Sequence, residues 1–331
     1  MGLETLARER EPRQNARFIA GVFVFVCALL LCGCASLWPQ TAQLRAALPE
    51  GLPERVELKQ VPFFPQDEYQ CGPAALATAL AAFGVQVTPE DLVSQVYLPE
   101  RKGSLQIEML AAARRHGLIS YQIAPSFEAL LRELAAGNPA IVLQNLGFKD
   151  GWHYAVAVGY DYYTGELILR SGVNEREVLP FTLHEFVWMR SGYWAMVALP
   201  PERIPASADE ARWLAAIAAY ERTGDAKNAR TAYSNFLKRW PANVNAAVGL
   251  ANAHYALGEL GDAERVLRDA ARRDPGSVIV LNNLAQTLSD QGRNEEALPL
   301  IERAAAAGGP FQAAVQQTRE TIRKRLTTSG N

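Results

Sequence analysis

The segment around Cys71 carries residue types suited to nucleophilic catalysis. Cys71 begins a predicted helix, with Gly72 and Pro73 in the first turn. Proline is tolerated there because first-turn amides have no partner within the helix. The partial positive charge of a helix N-terminus stabilises a thiolate, so we expect the pKa of Cys71 to fall below about 8.5. The outward-pointing amide of Cys71 is also suited to donate a hydrogen bond to an oxyanion.

A second segment supplies a possible base. His153 follows Trp152 at the start of a strand predicted over 153–160. A strand fixes the direction of the imidazole, which suits a general base that must stay within reach of a thiol. Taken alone, a cysteine in an apolar helix is usually a small core residue, and a strand histidine is usually a core residue too. The hypothesis rests on both residues together, with Gln66 upstream of Cys71.

The N-terminal segment predicts export. Basic residues at positions 8, 10, 13 and 17 precede an apolar run over 18–32, which is shorter than the roughly 20 residues that a spanning helix needs. Gly33 followed by Cys34 at the end of this run resembles a bacterial lipobox, in which the cysteine is acylated and becomes the mature N-terminus. Ala35, the residue after the acylated cysteine, favours sorting to the outer membrane, on the side that faces the periplasm. The alternative is an uncleaved signal anchor.

The cysteine count supports a function for Cys71. The chain has four cysteines, and the other three are Cys27, Cys32 and Cys34. The predicted processing removes two of them and acylates Cys34, which leaves Cys71 as the one free thiol. Exported proteins normally pair their cysteines, so a lone thiol is expected to be either deeply buried or used.

Shifts in composition and proline-rich positions divide the 331 residues into six segments. The segments are a signal peptide at 1–34, a tether at 35–53 with a short helical stretch, an α/β region at 54–200, a proline-rich linker at 201–207, helical repeats at 208–309, and a capping helix and tail at 310–331. In the α/β region, helices come first and antiparallel strands follow, which predicts an α+β domain whose nucleophile helix packs on a sheet.

The C-terminal region has a period of 34 residues. Gly224, Gly258 and Gly292 share this spacing, and three alanines and two prolines repeat in register with them. The period resembles the tetratricopeptide repeat, whose glycine permits the turn between two helices and whose proline ends the second helix. Such an array implies a surface for a protein or peptide partner, and the alternative is a plain helical bundle. We expect His254 to be a packed or surface residue and not a ligand.

Cys71, His153 and their neighbours resemble the papain-like superfamily, and most closely the peptidases that process bacteriocin leader peptides. The resemblance covers about 54–200 and rests on the Gln…Cys-Gly-Pro-Ala helix start and the His-Tyr-x-Val-x-x-Gly-Tyr strand. It implies an α+β papain-like fold, Cys71 as nucleophile, His153 as base, and Gln66 as oxyanion donor beside the Cys71 amide.

The chain departs from this family twice. Gln66 precedes Cys71 by five residues, where the leader-processing enzymes usually have six. The family also has an Asp or Asn that orients the histidine, whereas the strand after His153 offers Ser171, or Asn174 from the next loop. Asp161 lies at the far end of its strand and is too distant.

Several functions are disfavoured. A formal net charge of −2 without a basic tract argues against nucleic acid. No cysteine and histidine pair has ligand spacing, so no metal or other cofactor is expected.

The sequence thus predicts an exported, membrane-anchored cysteine peptidase that acts on a peptide or protein substrate, with repeats for substrate or partner binding. The alternative is a catalytically silent peptidase-like domain that serves as a lipid-anchored scaffold.

Overall fold

The computed structural model describes residues 38–66, 70–147 and 151–329. The predicted signal peptide, with Cys34, lies outside the described residues. Among the residues that are described, none of the helices combines the length and the apolar character needed to cross a membrane.

The described residues between 38 and 200 form a sheet with helices packed against it. The helices are α1 (Pro39–Ala46), α2 (Cys71–Ala81), α3 (Pro89–Val96), α4 (Gln106–Arg115), α5 (Phe127–Ala135) and α6 (Phe181–Trp188). The strands are β1 (Arg55–Glu57), β2 (Tyr97–Leu98), β3 (Gly103–Ser104), β4 (Ile119–Gln122), β5 (Ala140–Asn145), β6 (Trp152–Asp161), β7 (Glu166–Ser171), β8 (Asn174–Pro180) and β9 (Ala195–Leu199).

The main sheet has the strand order β4-β9-β5-β6-β7-β8, and β1 pairs with the end of β6. Every pairing in it is antiparallel. The predicted α+β layout is therefore confirmed. Strand β8 was not expected, because its polar sequence lacks the apolar alternation of a half-buried strand, and the structure places it at the exposed edge of the sheet.

Helix α2 is the central helix of this domain. It packs against β5, β6 and β7, and its residues from Cys71 to Leu80 are buried. An all-round apolar sequence suits such a position, because every side of the helix faces protein. At Gly72, a Cβ atom would overlap the side chain of Ser104, so only glycine lets β3 approach the start of the helix.

Helix α1 belongs to the folded domain. The buried carboxylate of Glu185 accepts hydrogen bonds from the amides of Gln40 and Thr41, at 3.0 and 2.7 Å. The side-chain oxygen of Gln40 accepts from the amide of Phe127 at 2.7 Å. The bonds to Glu185 satisfy amides at the start of α1, and the bond to Gln40 satisfies one at the start of α5, none of which has a partner within its own helix. The helical part of the predicted tether is thus docked rather than free.

His184 is a core residue of α6. Its side chain is fully buried. Its Nδ1 atom lies 3.1 Å from Nε2 of Gln144, and its ring packs against Trp188. Burial lowers the pKa of His184 to about 3, because the charged imidazolium would lose its hydration. His184 is therefore a neutral core residue.

The C-terminal region consists of helix pairs. They are α7 (Glu210–Glu221) with α8 (Ala226–Arg239), α9 (Val244–Ala256) with α10 (Leu260–Arg273), and α11 (Val278–Asp290) with α12 (Asn294–Ala307), followed by α13 (Gln312–Ser329). Gly224, Gly258 and Gly292 have positive φ at the turn within each pair, as the repeat predicts. At Gly249, a Cβ atom would overlap the ring of Tyr233, which shows how closely successive pairs approach.

The predicted linker is a fixed joint between the domain and the repeats. The buried carboxylate of Glu133 on α5 accepts from the amide and hydroxyl of Ser207, at 2.7 and 2.6 Å, and from the side chain of Asn138 at 2.7 Å. The ring of Tyr121 on β4 makes an edge contact with buried Trp213 on α7, with centroids 5.7 Å apart. The first repeat therefore covers the β4 edge of the sheet.

We predict that Glu133→Ala loosens this joint. The substitution leaves the donors of Ser207 and Asn138 without their acceptor, so the free energy of unfolding should fall by about 2–4 kcal/mol. The measurement is urea unfolding followed by circular dichroism. The matched control is Glu128→Ala on the same helix, where an exposed pair with Arg132 is lost and the change should stay below about 1 kcal/mol. Equal effects of the two substitutions on the free energy of unfolding would contradict the role of Glu133 in this joint.

Candidate active site

The Cys71 thiol lies at the N-terminus of α2 and against the start of β6. Its side chain is 8% exposed. The backbone N–H groups of Tyr154, Gly72 and Cys71 stabilise the charged form of this thiol. Because Tyr154 directly follows His153, the packing of α2 on β6 brings the predicted nucleophile to the residue beside the predicted base.

The electrostatics of the thiol differ from the sequence-based expectation. The three N–H groups lower the pKa of Cys71, as expected at a helix N-terminus, but burial raises it by more. The net effect raises the pKa of Cys71 above its ordinary value, so the expected lowering is wrong. The hydration free energy that a buried thiolate loses exceeds the stabilisation that the three N–H groups provide. The resting group is therefore a protonated thiol at neutral pH, and its attack on a carbonyl requires a base.

The imidazole of His153 contacts Ser171 on the neighbouring strand β7. Nε2 of His153 lies 3.0 Å from Oγ of Ser171, and both residues are buried. With the proton on Nε2, the ring donates to the hydroxyl and Nδ1 is the basic nitrogen. Asn174, the alternative orienting residue, is exposed where β8 begins. Asp161 lies at the opposite end of β6 and is paired with Arg55.

Gln66 lies beside the turn that follows Ser171. Its backbone N–H donates to the carbonyl of Gly172 at 3.2 Å. Gln66 and Ser171 line one small cleft, together with Ala74 and Thr78 on α2. The structure therefore brings Gln66 to the same side of the nucleophile helix as Ser171. Residues 67–69, which connect Gln66 to the helix, are outside the described part of the chain, and the oxyanion role stays a prediction.

Arg170 is a site residue that the sequence analysis missed. Its guanidinium is buried and donates to the backbone carbonyls of Val61, at 3.3 Å, and of Glu175. It thus ties the segment that leads to Gln66 to the strand that follows Ser171. An arginine within the apolar run of β7 was a visible signal, because a charged residue is buried only when its donors find acceptors. The Tyr154 amide had no such signal, since backbone groups have no sequence signature.

The repeats hold one group of candidate ligand atoms among the described residues, formed by His254, Glu259 and Asp262. Nδ1 of His254 lies 2.6 Å from a carboxylate oxygen of Glu259, whose other oxygen accepts from Arg230 at 2.5 Å. Asp262 is paired with Arg265. The two arginines offset the negative charge that would attract a cation. This group is therefore best explained as an ion-pair network between neighbouring repeats.

Comparisons with known proteins agree with this architecture. Residues 58–184 match the family described as Peptidase C39 like, and residues 214–278 and 258–320 match two tetratricopeptide repeat families. None of the curated proteins compared with the chain is similar enough to count as a match.

Solved structures match each half of the chain. A C39-like peptidase from Bacillus anthracis is 18% identical, with 44% of this chain and 98% of that chain covered and a TM-score of 0.38. The TPR2B domain of yeast Sti1, solved in a complex with pHsp70, is 19% identical over 35% of this chain and 97% of that chain, with a TM-score of 0.34. The Yersinia enterocolitica chaperone SycD, solved with a peptide of the translocator YopD, is 13% identical over 36% and 93%, with a TM-score of 0.34.

The family matches confirm the family resemblance that the sequence predicts. The chain carries a C39-like peptidase domain followed by tetratricopeptide repeats. The segments matched by the repeat models overlap the helix pairs of the C-terminal region, so the alternative of a plain helical bundle is ruled out.

We predict that Cys71 ionises only in alkaline solution. Because burial raises the pKa of Cys71 above that of an ordinary thiol, the ultraviolet absorbance of a thiolate should be absent at neutral pH and should appear only in alkaline solution. The measurement is the difference in absorbance between the wild type and Cys71→Ser as the pH is raised. Thiolate absorbance that already rises in acidic solution would show a preformed thiolate–imidazolium pair and contradict this prediction.

Proposed function

We propose that this chain, with its C39-like peptidase domain and tetratricopeptide repeats, is an exported, membrane-anchored cysteine peptidase. The observation that carries the proposal is that the Cys71 thiol lies against the backbone N–H of the residue that follows His153, whose imidazole is held by Ser171. A buried thiol at a helix N-terminus next to an oriented imidazole has the arrangement that nucleophilic catalysis requires.

In this proposal, Nδ1 of His153 takes the thiol proton as Sγ of Cys71 forms a bond to the carbonyl carbon of a peptide. The electron pair of the carbonyl double bond moves to its oxygen, and the N–H of Cys71 and the amide of Gln66 stabilise the oxyanion. The imidazolium then protonates the leaving nitrogen as the C–N bond breaks. Water, deprotonated by His153, attacks the thioester, and the release of the acid returns the proton to the thiol.

Ser171 is a weaker orienting group than a carboxylate. A hydroxyl gives His153 one neutral hydrogen bond, with a net contribution of about 0.5–1.5 kcal/mol, whereas a bond to a charged group contributes about 1.5–3 kcal/mol. A hydroxyl also offers no negative charge to stabilise the imidazolium. We therefore propose that turnover is slower than in an enzyme with a carboxylate at this place.

The raised pKa of Cys71 and the neutral partner of His153 also favour a second candidate. In this alternative, the peptidase-like domain does not turn over, and the lipid-anchored chain binds a protein through its repeats. Both candidates keep the same repeats, anchor and location, which we propose to be the outer membrane on its periplasmic side. The reactivity of Cys71 separates them.

We predict that His153→Ala slows the reaction of Cys71 with a peptide-like, thiol-reactive probe about 10²–10⁴-fold at neutral pH, because a general base is lost. Ser171→Ala should slow it about 2–10-fold, the value of one neutral hydrogen bond. The measurement is the labelling rate by mass spectrometry, with Cys71→Ala as the blank. His116→Ala is the control, since this histidine bonds Gln95 in another part of the domain. If the wild type reacts no faster than a free thiol and His153→Ala reacts equally fast, the scaffold is the better explanation.

We predict that Cys34→Ser abolishes fatty acylation and releases the protein from membranes. The matched control is Cys32→Ser, which removes a neighbouring thiol and leaves the lipidation site intact. The measurement is mass spectrometry of the N-terminal peptide together with membrane fractionation. Acylation that persists in Cys34→Ser, or a wild-type chain that keeps residues 1–33, would contradict the lipoprotein proposal and favour the signal anchor.

A further inference from the structure

Helix α6 and the turn after it leave three large apolar side chains in solvent. Leu183, Phe186 and Met189 are 47%, 43% and 41% exposed. Their spacing of three residues puts them along one side, and we name them the α6 stripe. Arg190 stacks on Phe186, with its guanidinium carbon 4.5 Å from the ring centre. Single exposed apolar residues are common, but a row of three with a cation beside it suggests a contact surface.

The chain enters the described structure beside this stripe. Glu185, which lies between Leu183 and Phe186 on α6, holds the amides of Gln40 and Thr41 at the start of α1. Residue 38 is therefore fixed within about one helical turn of the carboxylate that anchors α1. Whatever precedes this residue begins next to the α6 stripe.

The distance from the proposed lipid to the folded domain is short. Residues 35–37 alone separate Cys34 from Trp38. Four extended residues span at most about 14 Å. The polar region of one membrane leaflet is itself about 5–8 Å thick. The domain must therefore lie against the membrane surface. Its α6 side is the side that faces this surface.

We propose that the α6 stripe docks on the phospholipid surface that holds the anchor. Leu183, Phe186 and Met189 would enter the boundary between headgroups and acyl chains, and Arg190 would pair with headgroup phosphates. The inference rests on the proposed anchoring through Cys34. It holds equally for an uncleaved signal anchor, because the apolar run ends at residue 32, close to the same entry point.

This surface continues to the active site. Arg190 donates to the side chain of Asn145 at 3.4 Å, and Asn145 pairs with Trp152 across β5 and β6. Trp152 and Leu146 are exposed, and His153 is the next residue along β6. The docked domain would hold the His153 end of the site near the membrane, so its substrate class would be peptides or proteins at the membrane surface.

The test measures the depth of nitroxide labels in the full-length, acylated protein. In a Cys71→Ser background, a label is placed at Phe186→Cys or Met189→Cys. Tyr163→Cys is the control, because Tyr163 is 75% exposed in the turn at the opposite end of β6. The protein is reconstituted into vesicles of phosphatidylethanolamine and phosphatidylglycerol, and electron paramagnetic resonance measures the accessibility of each label to oxygen and to a water-soluble nickel complex.

We expect labels at 186 and 189 to gain contact with oxygen and to lose contact with the nickel complex several-fold on vesicles, while the label at 163 stays accessible to water. Equal accessibility at all three positions would overturn the inference. So would protection of 186 and 189 in unacylated Cys34→Ser protein without vesicles or detergent, which would indicate contact with protein. The acyl group on Cys34 is measured in the same sample. Acylated protein with water-exposed labels overturns the docking alone, whereas an absent acyl group contradicts the lipid anchor and leaves the docking to be decided by the accessibility of the labels.

Discussion

The packing of the N-terminus of α2 against the first residues of β6 is the constraint on which the site depends, because it brings Cys71 to the residue that follows His153. Gly72 makes room for Ser104 there, and the carbonyl of Ser104 accepts from the Tyr154 hydroxyl at 3.2 Å. One tight contact thus sets the helix start, the β3 hairpin and the strand that carries His153 in a single arrangement.

Two buried carboxylates join the other parts of the chain to this domain. Glu185 binds the first amides of α1, and Glu133 binds the segment before the repeats. Burying a carboxylate is unfavourable unless its oxygens accept several hydrogen bonds, and both of these do. Because each carboxylate accepts from backbone N–H groups of a distant segment, it specifies one position for that segment. Helix α1 and the repeats are consequently both fixed relative to the domain that carries Cys71.

Much of the fold followed from patterns with a direct physical cause. The repeats were predicted because Gly224, Gly258 and Gly292 recur at a fixed period, and the order of helices and strands followed from apolar periodicity. The joints could not be predicted in this way. Glu133 and Glu185 are ordinary helix residues in sequence, and their partners lie 74 and about 145 residues away. The burial of His184 was missed for the same reason, since the elements that cover it come from distant parts of the chain.

The site shows the same division between local and distant causes. The helix start at Cys71 and the strand start at His153 are local, so the sequence predicted where both residues would stand. The pKa of Cys71 depends on how completely α2 is covered by the sheet, which no local pattern reports. The helix N-terminus does lower this pKa, yet burial outweighs it.

That balance is consistent with the proposed export of the protein. A thiolate is the form of cysteine that oxidants attack, so a lone exported thiol is safest when it stays protonated. Burial of Cys71 supplies this protection, and in the proposed mechanism His153 removes the thiol proton at the moment of attack. The arrangement lowers the resting reactivity of the thiol, and it makes the hydrogen bond between His153 and Ser171 the feature that decides whether the site turns over.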